Sequence, residues 1–161
     1  MRITFIQTGG TIDKDYPRAS GGWAFEFGLP AMNRLLEKLD PSFEYEVLTA
    51  FQKDSLEIST DDRRQLLELI LAQESRRIVV THGTDTMLET AEYLSRHAID
   101  KTVVITGAMR PERFSNSDAP LNLGCAIAAV GLQGSGVFVA MHGVVKHHDE
   151  IRRDTDTGKF Y

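Results

Sequence analysis

Residues 77–86 read RIVVTHGTDT, and the fold follows from how that stretch runs and how it stops. Ile78, Val79 and Val80 are consecutive and β-branched, with no polar residue between them. A strand with one wet face alternates in polarity, whereas a strand covered on both faces does not. The run therefore predicts a parallel strand buried between two layers. His82-Gly83 breaks it, and Met87, Leu88, Ala91 and Leu94 then recur at helical spacing over 86–98. The same order repeats outward. TVVIT at 102–106 stops at Gly107, GVFVAM at 136–141 stops at His142-Gly143, and Arg2–Gln7 stops at Thr8-Gly9-Gly10. A shorter, ambiguous strand signal covers Tyr45–Thr49. Apolar stripes predict further helices over Met32–Leu39, Thr60–Gln73 and Asp118–Leu132. Ser59 is placed to cap the second of these, and Pro120 fits the first turn of the third. Strand–helix alternation of this kind means an α/β, doubly wound, mostly parallel sheet in three layers, flavodoxin-like or Rossmann-like. It is expected as a single domain over 1–161.

Composition narrows the function classes. The 161 residues are 42% hydrophobic and 25% charged, enough for a core and too ordinary for disorder. A net charge of −5 argues against nucleic acid or an anionic membrane surface as the main partner. The one cysteine, Cys125, allows neither an internal disulfide nor a multi-cysteine zinc site and reads as helix packing. No run approaches the roughly 18 apolar residues of a membrane span. The apolar run at the amino terminus is too short for a signal segment and reads as the first strand, so the expected location is cytoplasmic. Two loops are long: 13–29, which contains Gly21-Gly22 and is a candidate lid, and the tail after Val144.

In an open parallel sheet, ligands sit at the carboxyl ends of the strands. Those ends carry TGGT at 8–11, THGTDT at 81–86 and TGAMRP at 106–111. A threonine hydroxyl becomes a nucleophile when a base takes its proton, and backbone N–H groups at glycine turns can hold an oxyanion. Asp85 beside Thr84 can accept a cationic group. There is no GxSxG elbow, HExxH, P-loop or GxGxxG motif. The TGGT turn also lacks the lysine or ribose carboxylate of a nucleotide site, so no cofactor is expected.

TGGTI at 8–12 and THGTDT at 81–86, with GAMRP at 107–111 and SDAPLNL at 117–123, resemble in order and spacing the motifs of the bacterial-type L-asparaginase/glutaminase family. The chain is similar to the larger, amino-terminal of that family's two domains. The resemblance implies hydrolysis of L-asparagine to L-aspartate and ammonia through an acyl-threonine, with glutamine as a lesser substrate. It implies Thr11 as nucleophile and Tyr16, in the loop, as its assistant. Thr84 would position water or relay a proton, and Asp85 would bind the substrate ammonium. Asp54 and Ser55 match the segment that grips the α-carboxylate, and Gly10 lines the same site. Many members have glutamine after that serine; this chain has Leu56 and then Glu57. The family lysine after the fifth strand has two candidates. Counting from the strand gives Arg153, and a rearranged loop would give Lys146. An arginine does not act as a base, so in that place its role would be electrostatic. The family resemblance also implies a homodimer or higher homo-oligomer. The alternative reading is a non-catalytic domain that binds amino acids; an amide-hydrolysing subunit of a transfer-RNA-dependent amidotransferase is a third.

Other residues read as scaffold. His82 belongs to a strand end. Arg110 and Arg113 suit salt bridges that anchor their loop. His142, His147, His148 and Asp149 lack a familiar zinc spacing and read as solvated loop residues, so no metal is expected.

Overall fold

The computed structural model describes residues 1–17, 24–97 and 99–161. In chain order the elements are β1 (Arg2–Gly9), β2 (Lys14–Asp15), β3 (Glu26–Phe27), α1 (Ala31–Leu39), β4 (Glu44–Lys53), α2 (Thr60–Ala72), β5 (Arg77–Thr81), α3 (Met87–Ser95), β6 (Thr102–Thr106), α4 (Ala119–Leu132), β7 (Gly136–Met141) and β8 (Val144–His147). Six strands form one sheet in the order β4-β1-β5-β6-β7-β8. All neighbours are parallel except the antiparallel pair β7–β8. The result is the expected α/β sheet. No helix among the described residues is long and apolar enough to cross a membrane.

The non-alternating strands divide their side chains between two cores. Ile78 and Val80 of β5, with Val103 and Ile105 of β6, face a cluster that holds Leu66 and Ile70 of α2 and Met87 and Leu94 of α3. Val79 and Val104 face the opposite way, onto Met32 and Leu36 of α1 and Leu123 and Ala126 of α4. Each strand is therefore buried on both faces, which is why no polar residue interrupts it. The five parallel strands wind outward in both directions from the boundary between β1 and β5. That boundary is the topological switch point, where a crevice opens at the strand ends.

Several expectations change. The ambiguous signal at 45–49 is the first half of β4, a ten-residue strand. The tail after Val144 is not all loop. His142 and Gly143 both have positive φ, 53° and 81°, as a tight two-residue hairpin requires, and they turn β7 back into β8. The long loop at 13–29 contains the antiparallel pair β2–β3, with Lys14 opposite Phe27. Its Gly21-Gly22 lies outside the described residues, as does Ala98, the expected end of the third helix. That helix ends instead at Ser95. Ser59 caps α2 as expected, in a reciprocal capping box with Asp62.

Candidate active site at the ends of β1 and β5

Glycines allow three strand ends to meet. Gly9 and Gly10 have φ of 101° and 83°, a region open mainly to glycine. A Cβ on Gly9 would lie 2.5 Å from the Lys53 carbonyl, at the end of β4, and one on Gly10 would strike the backbone of Gly83. A Cβ on Gly83 would lie 2.6 Å from Ser55 Cβ and 2.7 Å from its Oγ. The Gly10 N–H donates to the Lys53 carbonyl at 3.0 Å. Residues 10, 55 and 83 thus share one point in space although they come from three strand ends. Between the last β1–β4 pairs, Gln7–Thr49 and Gly9–Lys53, β4 holds extra residues, and this bulge brings Asp54 and Ser55 to the crevice.

The sequence-designated residues occupy that crevice unequally. Thr11 opens a short 3₁₀ turn directly after the glycines and is half-buried. Ser55 is buried, and its carbonyl accepts the Thr86 hydroxyl at 2.7 Å. Thr84 is buried. Arg153 Nη1 donates to the Thr84 carbonyl and to Asp85 Oδ1, each at 2.9 Å. Lys146 lies in β8 opposite Val139 and makes no hydrogen bond to either residue. Asp85 does not cap α3; the capping position is Thr86. Lys14 Nζ donates to Asp54 Oδ2 at 2.6 Å, and that bond holds the Asp54 carboxyl below its ordinary pKa. Tyr16 is 64% exposed. Its ring packs on Phe25 and Phe114 with centroids 5.0 and 6.1 Å away. It belongs to an aromatic cluster that joins the 13–29 loop to Phe114, and among the described residues it makes no hydrogen bond to Thr11.

His82 is scaffold. It is fully buried, and burial pushes the imidazole down to about 4, so it is neutral at pH 7. Its Nδ1 lies 2.8 Å from the Gly83 carbonyl, an acceptor, so Nδ1 carries the proton. Nε2 then accepts the Thr90 hydroxyl at 2.9 Å, and Arg63 Nε donates to the Thr90 oxygen at 3.0 Å. This chain fixes the peptide that leads into Thr84. Arg113 meets Asp15 at 3.1 Å, as a loop anchor would. Cys125 packs partly buried against the α1/α4 core. His142 packs at a tilt against Phe160 rather than joining the other histidines. Ligand atoms of His147, His148 and Asp149 do converge, within 4.8 Å of one another, although the sequence pattern does not suggest it.

Two residues carry no warning in the sequence motifs. Asp13 is 1% exposed and gives its Oδ1 to the Ala31 N–H at 2.7 Å. Burial raises its pKa to about 6, against that hydrogen bond. Lys14 reaches Asp54 across 40 positions of sequence. Their one signal is two charges set directly behind the apolar end of TGGTI. A cavity of about 410 Å³ opens beside β2 and β3 and not over Thr84 and Asp85. Its walls include Asp13, Tyr16, Phe27, Arg34 and Arg113.

Comparison with known proteins identifies the family and the fold. The family model "Asparaginase, N-terminal" matches residues 2–158. A "Probable L-asparaginase periplasmic" of Haemophilus influenzae is 31% identical over 166 residues, covering 96% of this chain and 47% of the relative. A glutamyl-tRNA(Gln) amidotransferase polypeptide of Pyrococcus abyssi is 30% identical over 151 residues, covering 88% of this chain and 33% of the relative. Among solved structures, the thermostable L-asparaginase from Thermococcus kodakarensis superposes with a TM-score of 0.84 at 26% identity. That match covers 95% of this chain and 48% of the other. The chain spans about half the length, or less, of the relatives it matches.

Proposed function

This chain belongs to the asparaginase family through its amino-terminal domain, and from that premise we propose that it carries the nucleophile-bearing half of an amidohydrolase site. Thr11 Oγ attacks the side-chain amide carbonyl of L-asparagine, ammonia leaves, and water opens the acyl-threonine to release L-aspartate. L-Glutamine is the slower alternative. The observation that carries the reading is the meeting of Gly10, Ser55 and Gly83 between Thr11 on one side and Thr84-Asp85 on the other. A nucleophile, a carboxylate and close-approaching backbone lie around one crevice at the switch point. The amino end of α3 points its positive pole at the same place, suiting an anionic group.

Each residue then has a distinct task. The Thr84 hydroxyl positions the water, and the Asp85 carboxylate takes the substrate ammonium. Ser55 and Gly10 offer polar contacts to the α-carboxylate, and Asp54, drawn to Lys14, fixes the loop that bears Ser55. Tyr16 assists Thr11 from the lid. Arg153 holds Thr84 and Asp85 in place by charge, since an arginine stays protonated. No metal and no cofactor enters these steps.

The relatives' names support the reaction class more than the substrate. They cover an asparaginase and an amidotransferase alike, and an amide to be opened is chemistry that both names allow. The test is ammonia release from L-asparagine and L-glutamine by wild type and Thr11→Ala. Turnover that Thr11→Ala abolishes by several orders of magnitude supports the reading. No turnover, with L-asparagine still raising the melting temperature, would make this a binding domain instead. Light scattering on the same sample tests the expected homodimer.

A further inference from the structure

We infer that Asp13 is a positioning residue that joins the nucleophile-bearing turn to the lid hairpin, so that neither Thr11 nor the lid strands move independently. The inference rests on the reading of Thr11 as nucleophile. Asp13 lies two residues beyond Thr11, and its N–H donates to the Gly10 carbonyl at 3.2 Å, which closes the turn. Its carbonyl accepts the Gly28 N–H at 2.9 Å, just after β3. Its Oδ1 accepts the N–H of Ala31, the first residue of α1. Lys14 and Asp15, which follow directly, form β2. One residue therefore ties down both feet of the lid and the turn beneath it.

The second observation concerns what Asp13 leaves unpaired. Its Oδ2, the Gln7 Nε2 and the Thr81 Oγ1 are all buried, and none has a hydrogen-bond partner among the described residues. Gln7 of β1 and Thr81 of β5 are register partners, side by side at the switch point. Buried orphans are rare because each forfeits hydrogen bonds it had in water. Here they are complementary: an amide and a hydroxyl can donate, and a carboxylate can accept. They surround the Asp13 carboxylate, and the Gln7 and Thr81 side chains pull its pKa down against the effect of burial, so the carboxylate sits where the turn, β1 and β5 meet. The lid side adds Asp15 and Glu26. Arg34 faces from α1, and Glu112 and Arg113 face from the loop after β6. Arg34 is engaged by Glu112 at 2.5 Å and Arg113 by Asp15 at 3.1 Å, and the Arg34 charge acts on the Asp13 carboxyl through space, lowering its pKa. Burial raises its pKa to about 6, so proton uptake in that range would report on the joint.

The experiment measures amide hydrogen exchange and ammonia release on the full chain for wild type, Asp13→Ala and Asp13→Asn. In Asp13→Ala the amides of Asp15, Phe27, Gly28 and Ala31 are expected to exchange at least about tenfold faster, with Val104 in the sheet unchanged. The same variant should lose about tenfold or more in kcat with a smaller change in KM, since misplacement acts on the reacting geometry. Asp13→Asn keeps an acceptor for Ala31. It should recover most of the protection and rate at pH 7 while losing any inflection near pH 6 in the kcat profile. Acceleration confined to Ala31 would overturn the inference, and so would an unchanged kcat in an active background. If wild type releases no ammonia, the nucleophile reading fails, and the exchange data alone still decide the coupling. Should Asp13→Ala not fold, wild type against Asp13→Asn decides it. Hairpin exchange that changes across pH 6 in the first and not in the second supports the coupling, and equal behaviour refutes it.

Discussion

His82 gives the sharpest test of the site's scaffold, because its replacement should change how stability depends on pH and not merely lower it. Its imidazole is pushed by burial from 6.5 down to about 4. The folded protein thus resists a proton that the unfolded chain accepts below pH 6.5. Stability held by neutral His82 is complete above pH 6.5 and is lost as pH falls toward 4. A difference of about two units between pH 6.5 and 4.5, at about 1.4 kcal/mol per unit, gives about 3 kcal/mol. For a domain of this size that is roughly 5–12 °C in Tm. Asp13 works in the opposite sense. Its raised pKa, about 6 against 3.8, contributes stability below pH 3.8 that is lost as pH rises through 6. The two slopes nearly cancel, so the wild-type Tm should be flatter through this window than either group alone would make it. His82→Gln removes one slope. The Tm of the variant relative to wild type should therefore rise by that amount between pH 7.5 and 4.5, whatever constant offset the substitution brings. Calorimetry at the two pH values measures it directly. A relative Tm that does not change with pH would mean that His82 titrates as freely folded as unfolded, and the proton assignment in the His82–Gly83–Thr90 chain would be wrong.

Other substitutions probe the rest of the site. Asp13→Asn should show the mirror image, gaining on wild type as pH rises from 4 to 7, by about 3 kcal/mol in calorimetry over that range. Gly83→Ala would press a methyl group within 2.7 Å of the Ser55 hydroxyl. It should cost about 1–3 kcal/mol in a urea titration and raise KM for L-asparagine, because Ser55 must move. Ser59→Ala removes one arm of the capping box on α2 and should lower stability by about 1 kcal/mol in the same titration, with kcat unchanged.

The inner strands are legible because burial on both faces writes itself as uninterrupted β-branched residues. β5, β6 and β7 have the bounds that their sequences suggest. β8 is not legible. Its turn is His142-Gly143 rather than the Asn-Gly or Asp-Gly that advertises a tight hairpin, and the left-handed φ of His142 shows only in the backbone. β2 and β3 are hidden for a different reason. Each has two residues, too few for any periodicity, and they pair only because Asp13 and Gly28 bring the chain back on itself. The glycine contacts are half legible. TGGT and THGT announce turns, but that Gly10 must meet Gly83, and Gly83 must meet Ser55, is a fact of packing between strands far apart in sequence.

The choice between Lys146 and Arg153 shows where counting along the chain stops being informative. Lys146 is fixed by the β7–β8 register, opposite Val139. Arg153 is fixed by the tail's own pairing, an antiparallel bridge to Phe160. Phe160 is 3% exposed and lies against His142, and its ring carries the Arg153 guanidinium at 5.5 Å. A hydrophobic anchor seven residues beyond Arg153 therefore delivers its charge to Thr84 and Asp85, and spacing from the preceding strand records nothing of that. The consequence for the proposed chemistry is specific. The group held against Thr84 is one that does not accept a proton, and it contacts the Thr84 carbonyl, not its hydroxyl. A proton leaving Thr11 thus has no destination at Arg153. On the proposed reading it is relayed, through the Tyr16 hydroxyl or through Thr84 and water, to the amide nitrogen, which leaves as ammonia. The lid and its Asp13 joint then become more important to the rate here than they would be in a site served by a lysine.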